Sequence, residues 1–168
     1  MSRGLGDVYK RQSSDLLKSF FQRHNELDGY LYIGYPIIGT VDGAYPIDSL
    51  WVSPDKGLVI FNLIEGKNID GYEEAQDDCA NKIEAKLRGY RQLVNKRKLC
   101  VEINVITYAP ALMRKVDCDE DYPLCANDNN LLAQIEKLNW NNSGYYEALV
   151  SVLQAISTTV SYTHLTLP

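Results

Sequence analysis

Histidine and paired cysteine are scarce in this 168-residue chain. It has two His and four Cys (Cys79, Cys100, Cys118, Cys125), and no two cysteines form a C-x-x-C pair. Tetrahedral zinc ligation therefore has almost no material, and no Ser/His/Asp or Cys/His set can be assembled around His24, which follows the first helix. Long apolar runs are also missing: no window approaches 18 uninterrupted apolar residues, and Met1–Asp7 lacks the apolar stretch of a secretory signal. The expectation is a cytoplasmic, non-membrane protein in which Cys79 and Cys100, on apolar periods, are reduced and buried. An excess of basic charge is lacking too, with 17 Lys+Arg against 22 Asp+Glu, a net of −5. The acidic run Asp117-Cys118-Asp119-Glu120-Asp121 begins like a calcium loop. It then puts Tyr122 where the turn needs Gly and Asp128 where the loop needs a bidentate Glu.

What is present is ordinary for one globular domain: 45% apolar residues and 23% charged. Residues 1–12 (MSRGLGDVYKRQ) and 160–168 (VSYTHLTLP) resemble translated sequencing-adapter read-through and show no sustained helix or strand period. The expected natural domain is thus 13–159, a fragment of a longer protein. Removing Arg3, Lys10, Arg11 and Asp7 leaves 14 basic and 21 acidic residues, a net of −7. A net acidic domain needs clustered cations to hold phosphates. The larger cluster is Arg88, Arg91, Lys96, Arg97 and Lys98, readable as a basic stripe or as a solvated helix end that complements the macrodipole. Arg114 and Lys115 form the smaller one.

Ser13 or Ser14 precedes Leu16, Leu17, Phe20 and Phe21, which predicts an N-capped amphipathic helix over about 14–25. Three β-rich stretches follow at 30–38, 46–52 and 57–64. The turns Gly39–Gly43 and Ser53-Pro54-Asp55-Lys56-Gly57 should fold them into an antiparallel meander. A helical period over 72–95 puts Tyr72, Cys79, Ile83, Leu87, Tyr90 and Val94 on one face, with Asp78/Lys82 and Glu84/Arg88 as i, i+4 pairs. A fourth strand is expected at 99–107, a polar connection at 108–127, and helices at about 128–138 and 144–158. The predicted fold is α/β (α+β): α-β-β-β-α-β with a mixed four-stranded sheet, plus C-terminal helices.

This order, with Asp48 in the second strand and a polar residue near the end of the third, resembles the PD-(D/E)XK or restriction-endonuclease-like fold. Over nearly all of 13–159 the chain also resembles the N-terminal nuclease-like domain of bacterial UvrD/Rep-type superfamily 1 DNA helicases. The likeness is carried by GYLYIGYPIIGTVDGAYPIDSLWVSPDKGLVIFNLIEGKNI, KLRGY, LCVEINVITYAP and YYEALVSVLQAIST, and most of all by YPID and KGLVIF. The resemblance implies a Mg²⁺-dependent site of one Asp on the second strand and, on the third, an acid and a Lys two residues apart. Residues i and i+2 of a strand share a face, so the three can converge on metal, water and phosphate. Asp48 matches the first acid, Asn62 stands at the second and Ile64 at the Lys.

Three functions follow as expectations. One is a catalytically degraded, DNA-associated or docking domain of a helicase whose motor lies outside this chain. Another is an active Mg²⁺-dependent deoxyribonuclease with Glu65 and Lys67 recruited beside Asp48, so that Asp48, Asn62 and Glu65 would hold the metal. The third is a structural cap for the motor. Glu65 is one residue out of phase with Asn62 and needs a bulge to join it, and Asp48 also reads as a strand-end Asp satisfied by backbone donors. Gln76 resembles the Gln of a Q-x-x-x-Y element, although Ala80 stands at the Tyr position. The chain itself should bind no nucleotide: Gly66-Lys67 has Phe61 where a phosphate loop needs Gly, and Asn68 in place of Ser/Thr. Trp51, Trp140 and ten Tyr between 30 and 146 offer base-stacking surfaces but fall mainly at core spacing.

Overall fold

The computed structural model describes residues 11–40, 43–156 and 163–167. The elements are α1 (Arg11–Arg23), β1 (Gly29–Thr40), β2 (Gly43–Ser53), β3 (Gly57–Leu63), α2 (Tyr72–Leu87), β4 (Val94–Asn95), β5 (Lys98–Leu99), β6 (Ile103–Tyr108), β7 (Leu124–Cys125), α3 (Asp128–Glu136), α4 (Tyr146–Ile156) and β8 (Thr163–Leu167). The main sheet has the order β7-β6-β3-β2-β1-β8. Neighbours β1/β2 and β2/β3 run antiparallel, whereas β3/β6 and β6/β7 run parallel. The expected meander forms, and the helix between β3 and β6 supplies the crossover that a parallel pair requires.

The sheet is mixed, as expected, but has six strands rather than four. β7 is a two-residue strand inside the stretch read as a polar connection, too short to leave a period in the sequence. β8 pairs antiparallel with β1, from Gly29 opposite Leu167 to Ile33 opposite Thr163. It lies within the segment read as adapter, where five residues are too few for a sustained alternation. Most of that expectation (1–10, 160–162 and 168), with part of the Gly39–Gly43 turn and the end of the 144–158 helix, falls outside the described residues.

Period-2 alternation sends the sheet's side chains to two faces. On one, Leu17, Phe20 and Phe21 of α1 and Leu131 and Ile135 of α3 cover Leu31, Trp51, Val59, Phe61 and Ile106. Phe21 meets Trp51 and Phe61 with ring centroids 5.0 and 5.8 Å apart. On the other, Cys79, Ile83 and Leu87 of α2 and Leu149, Val152, Leu153 and Ile156 of α4 cover Tyr32, Leu50, Val52, Leu58, Ile60 and Val105. Each fully buried large side chain contributes about 1.5–3 kcal/mol, so the two faces are what hold the three layers together. Leu16, counted in the apolar stripe of the first helix, is instead exposed, because the buried residues of α1 are Ser13, Leu17, Phe20 and Phe21.

Both tryptophans are core residues. Trp51 and Trp140 are buried, and their indole N–H groups donate to Asp28 O (3.1 Å) and Cys100 O (3.0 Å). Neither offers a face for stacking.

Helix α2 ends at Leu87, not at 95. Gly89 interrupts the helical run at a cost of about 1 kcal/mol relative to Ala, and the Gly89 and Tyr90 N–H groups close the last turn onto Lys86 O and Leu87 O. Leu93 is still buried, but it reaches the core from a 3₁₀ turn, and the Cys100 N–H donates to its carbonyl (2.8 Å). The chain then forms the β4–β5 hairpin, so the fourth long strand starts at Ile103 rather than 99. Gly57, with φ +84°, closes the β2–β3 turn after Ser53, whose hydroxyl accepts from Asp55 N and Lys56 N; a Cβ there would lie 2.8 Å from Glu102 O. Among the described residues, no helix is long and apolar enough to cross a membrane.

Candidate functional site

A cavity of about 380 Å³ opens where the C-terminal end of β3 meets the N-terminus of α2. Strand phase explains its lining. Leu58, Ile60, Asn62 and Ile64 alternate towards the α2 side, and Asp48 shares the α2-side phase of Leu50 and Val52 on β2. Asp48, Asn62 and Ile64 thus reach one cavity with Thr107 of β6, Tyr45, Asn68, Asp70 and Tyr72. Gly71, at φ 79°, makes the turn into α2, and Asn68 Oδ1 braces it by accepting from Asp70 N (2.9 Å).

Asp48 is half-buried, and its Oδ2 accepts from Leu63 N at 2.9 Å. The β2–β3 ladder pairs Ser49 with Phe61, and beyond that pair the Asp48 carboxylate takes the N–H of β3 in place of a backbone carbonyl. Around it the charge is negative. Lys82 bonds Asp78 (2.7 Å) and holds that carboxyl below its ordinary range, while the Lys82 ammonium lies 5.0 Å from the centre of the Tyr45 ring. Burial, with Cys79, Asp78 and Asp48 nearby, pushes the Tyr45 hydroxyl well above its ordinary value. Burial and the charges of Asp48 and Asp78 push the Cys79 thiol up to about 12. These groups stay neutral at physiological pH, and neither is poised as a nucleophile or base.

The other sequence candidates do not join the cavity. Glu65, next in phase after Leu63, turns to the α1 side as period 2 dictates. There Gln12 N and Ser13 N donate to its Oε1 and Oε2 at 2.9 and 2.8 Å. Glu65 therefore caps α1 from 52 residues away and complements its dipole, a task the sequence pattern assigns to Ser13 or Ser14. Ser13 itself is buried in the helix, which begins at Arg11. Lys67 is exposed and does not line the cavity.

Gln76 is buried, and its Nε2 donates to Thr107 Oγ1 (2.8 Å) and Pro123 O (3.0 Å). It clamps α2 to β6 and to the loop before β7, with Thr107 between it and the cavity. Nothing in the local sequence announces this role, because its partners lie 31 and 47 residues away.

The donor set implied for Mg²⁺ is thus divided. Asp48 supplies one carboxylate with a backbone obligation, Asn62 a neutral oxygen, and Glu65 nothing. Among the described residues, no three His, Cys, Asp or Glu side chains stand together as a metal-binding group. Asn62 and Ile64 also leave β3 without the acid and the cation that metal-assisted phosphodiester hydrolysis uses, and the second carboxylate lining the cavity, Asp70, is exposed on the loop before α2 rather than on the strand. The residues present do not fit a hydrolytic metal centre.

Comparison with protein-family models, curated proteins and solved structures yields no match to this chain.

Proposed function

We propose that this chain is a restriction-endonuclease-like domain that has lost its hydrolytic centre and serves as a DNA-associated or docking module. The observation that carries the reading is the convergence of Asp48 and Asn62 on one cavity beside the β3–β6 parallel pair, with Ile64 in the position of the reactive Lys. The α-β-β-β-α-β order supports the ancestry. The engagement of Glu65 at the N-terminus of α1 supports the loss, because the next acid along the chain from β3 is committed elsewhere. Association with a UvrD/Rep-type helicase motor rests on the resemblance of the YPID and KGLVIF segments.

Incubating the purified chain with single- and double-stranded DNA in Mg²⁺ or Mn²⁺ tests the reading. The expected result is intact DNA. Cleavage that disappears in Asp48→Ala would overturn it and favour the metal-dependent nuclease.

A further inference from the structure

The β4–β5 hairpin is built from cations in a backbone conformation that cations do not favour. Lys96 and Arg97 have φ values of 52° and 69°, both left-handed, at the two central positions of a two-residue turn between Asn95 and Lys98. That turn type ordinarily takes Asn-Gly. Strained residues that persist on a surface point to a use for their side chains.

The surroundings give that use a chemistry. From Lys86 to Lys98 the chain carries six cations (Lys86, Arg88, Arg91, Lys96, Arg97 and Lys98) and no acid. Apart from half-buried Lys86, all are exposed. Arg88 pairs with Glu84 (2.8 Å) and donates to Arg97 O (3.3 Å), which ties the hairpin to the end of α2. The other exposed cations project to solvent, where a partner can reach them.

The opposite end of α2 has the reverse character. Asp70, Glu73, Glu74, Asp77 and Asp78 cluster at its start, and Tyr122, from the acidic loop that holds Asp119, Glu120 and Asp121, bonds Asp77 at 2.8 Å. A helix of 16 residues separates the two ends by about 24 Å.

We infer that the β4–β5 hairpin with Arg91 docks the phosphodiester backbone of a nucleic acid, at the end of the molecule remote from the cavity. A chain with a net charge of −5 can hold a polyanion only where its cations are segregated, and this segment carries the larger of its two basic clusters. The inference rests on the DNA-associated reading above but does not depend on whether the cavity cuts.

The test is fluorescence anisotropy of a DNA duplex of about 20 base pairs with the full chain from roughly 20 to 200 mM salt, with poly-glutamate as a second anionic probe. Wild type should bind the duplex at low salt. Lys96→Ala/Arg97→Ala/Lys98→Ala should weaken it by about tenfold or more and flatten the log K against log salt slope by about 2–3, at roughly 0.9 for each phosphate no longer neutralised. Lys96→Asn/Arg97→Gly should weaken binding while raising the melting temperature, which separates the docking role from folding. Glu73→Gln/Glu74→Gln in the first turn of α2 should leave the slope unchanged. No binding at the lowest salt, a triple variant that binds like wild type, or poly-glutamate bound as tightly as the duplex would each overturn the inference. Intact binding accompanied by cleavage would instead overturn the loss of the hydrolytic centre alone.

Discussion

Around the cavity at the start of α2, the side chains that a nuclease motif would claim are spent on the fold. Asp48 anchors the end of β3, Gln76 clamps α2 to β6, and Glu65, just across the sheet, caps α1. At the other end, beyond Leu87, Arg91, Lys96, Arg97 and Lys98 project to solvent at a hairpin whose turn is strained. The difference teaches that residue type alone does not mark a site. The Asp, Glu and Gln that a nuclease motif would claim satisfy backbone or side-chain partners, whereas the exposed lysines and arginines are the ones placed to meet another molecule.

The sharpest way to break this contrast is at Gln76. Gln76→Leu leaves Thr107 Oγ1 and Pro123 O short of a donor in a buried place. It is expected to cost about 2–3 kcal/mol in denaturant unfolding, and a loss under about 0.5 kcal/mol would mean that the clamp is idle. Asp48→Ala comes next, at about 1.5–3 kcal/mol for the lost charged acceptor, with Asp48→Asn costing less because its amide oxygen still accepts. A gain in stability at Asp48 would contradict the structural role, since strained catalytic carboxylates are the ones whose removal stabilises.

Glu65→Ala should cost about 1 kcal/mol by uncapping α1, while Lys67→Ala should fall within about 0.5 kcal/mol of wild type. Equal effects at the two positions would remove the distinction between a capping Glu and a solvated Lys.

The smallest effect at neutral pH concerns Cys79. Its thiol is raised from 9.0 to about 12, so the folded state resists ionisation and the unfolded state does not. Stability from this group is fully present below about pH 9 and is lost as pH rises towards about 12. Cys125, also pushed up to about 12, adds to the same alkaline loss. Alkylation near pH ~8 should label half-buried Cys118 well before buried Cys79 and Cys125, and early labelling of Cys79 would show that the α2 face opens.

Strand phase is legible in the sequence, and it matters most. Period 2 along residues 58–65 puts Asn62 and Ile64 on the side of Asp48 and sends Glu65 to the other, and the structure has them so. The helical period over 72–95 runs too long because Tyr90 and Val94 continue the 3.6 spacing after Gly89 has already released the chain. The basic cluster looks like a helix end for the same reason, and a two-residue turn made of Lys and Arg gives no Asn-Gly signal. The Asn127 cap of α3, reciprocated by Asn130, is hidden because Asn stands where Glu or Gln completes the usual pattern. Gln76 and Glu65 find partners far along the chain, and no local pattern carries that information.

The central claim is that the cavity has no working metal centre, and thermal unfolding in millimolar Mg²⁺ or Mn²⁺ tests it most directly. A ligand that binds only the folded state raises stability by mass action. The account predicts the same melting temperature with and without metal, in wild type and in Asp48→Ala alike. A metal-dependent rise in wild type that vanishes in Asp48→Ala would contradict it.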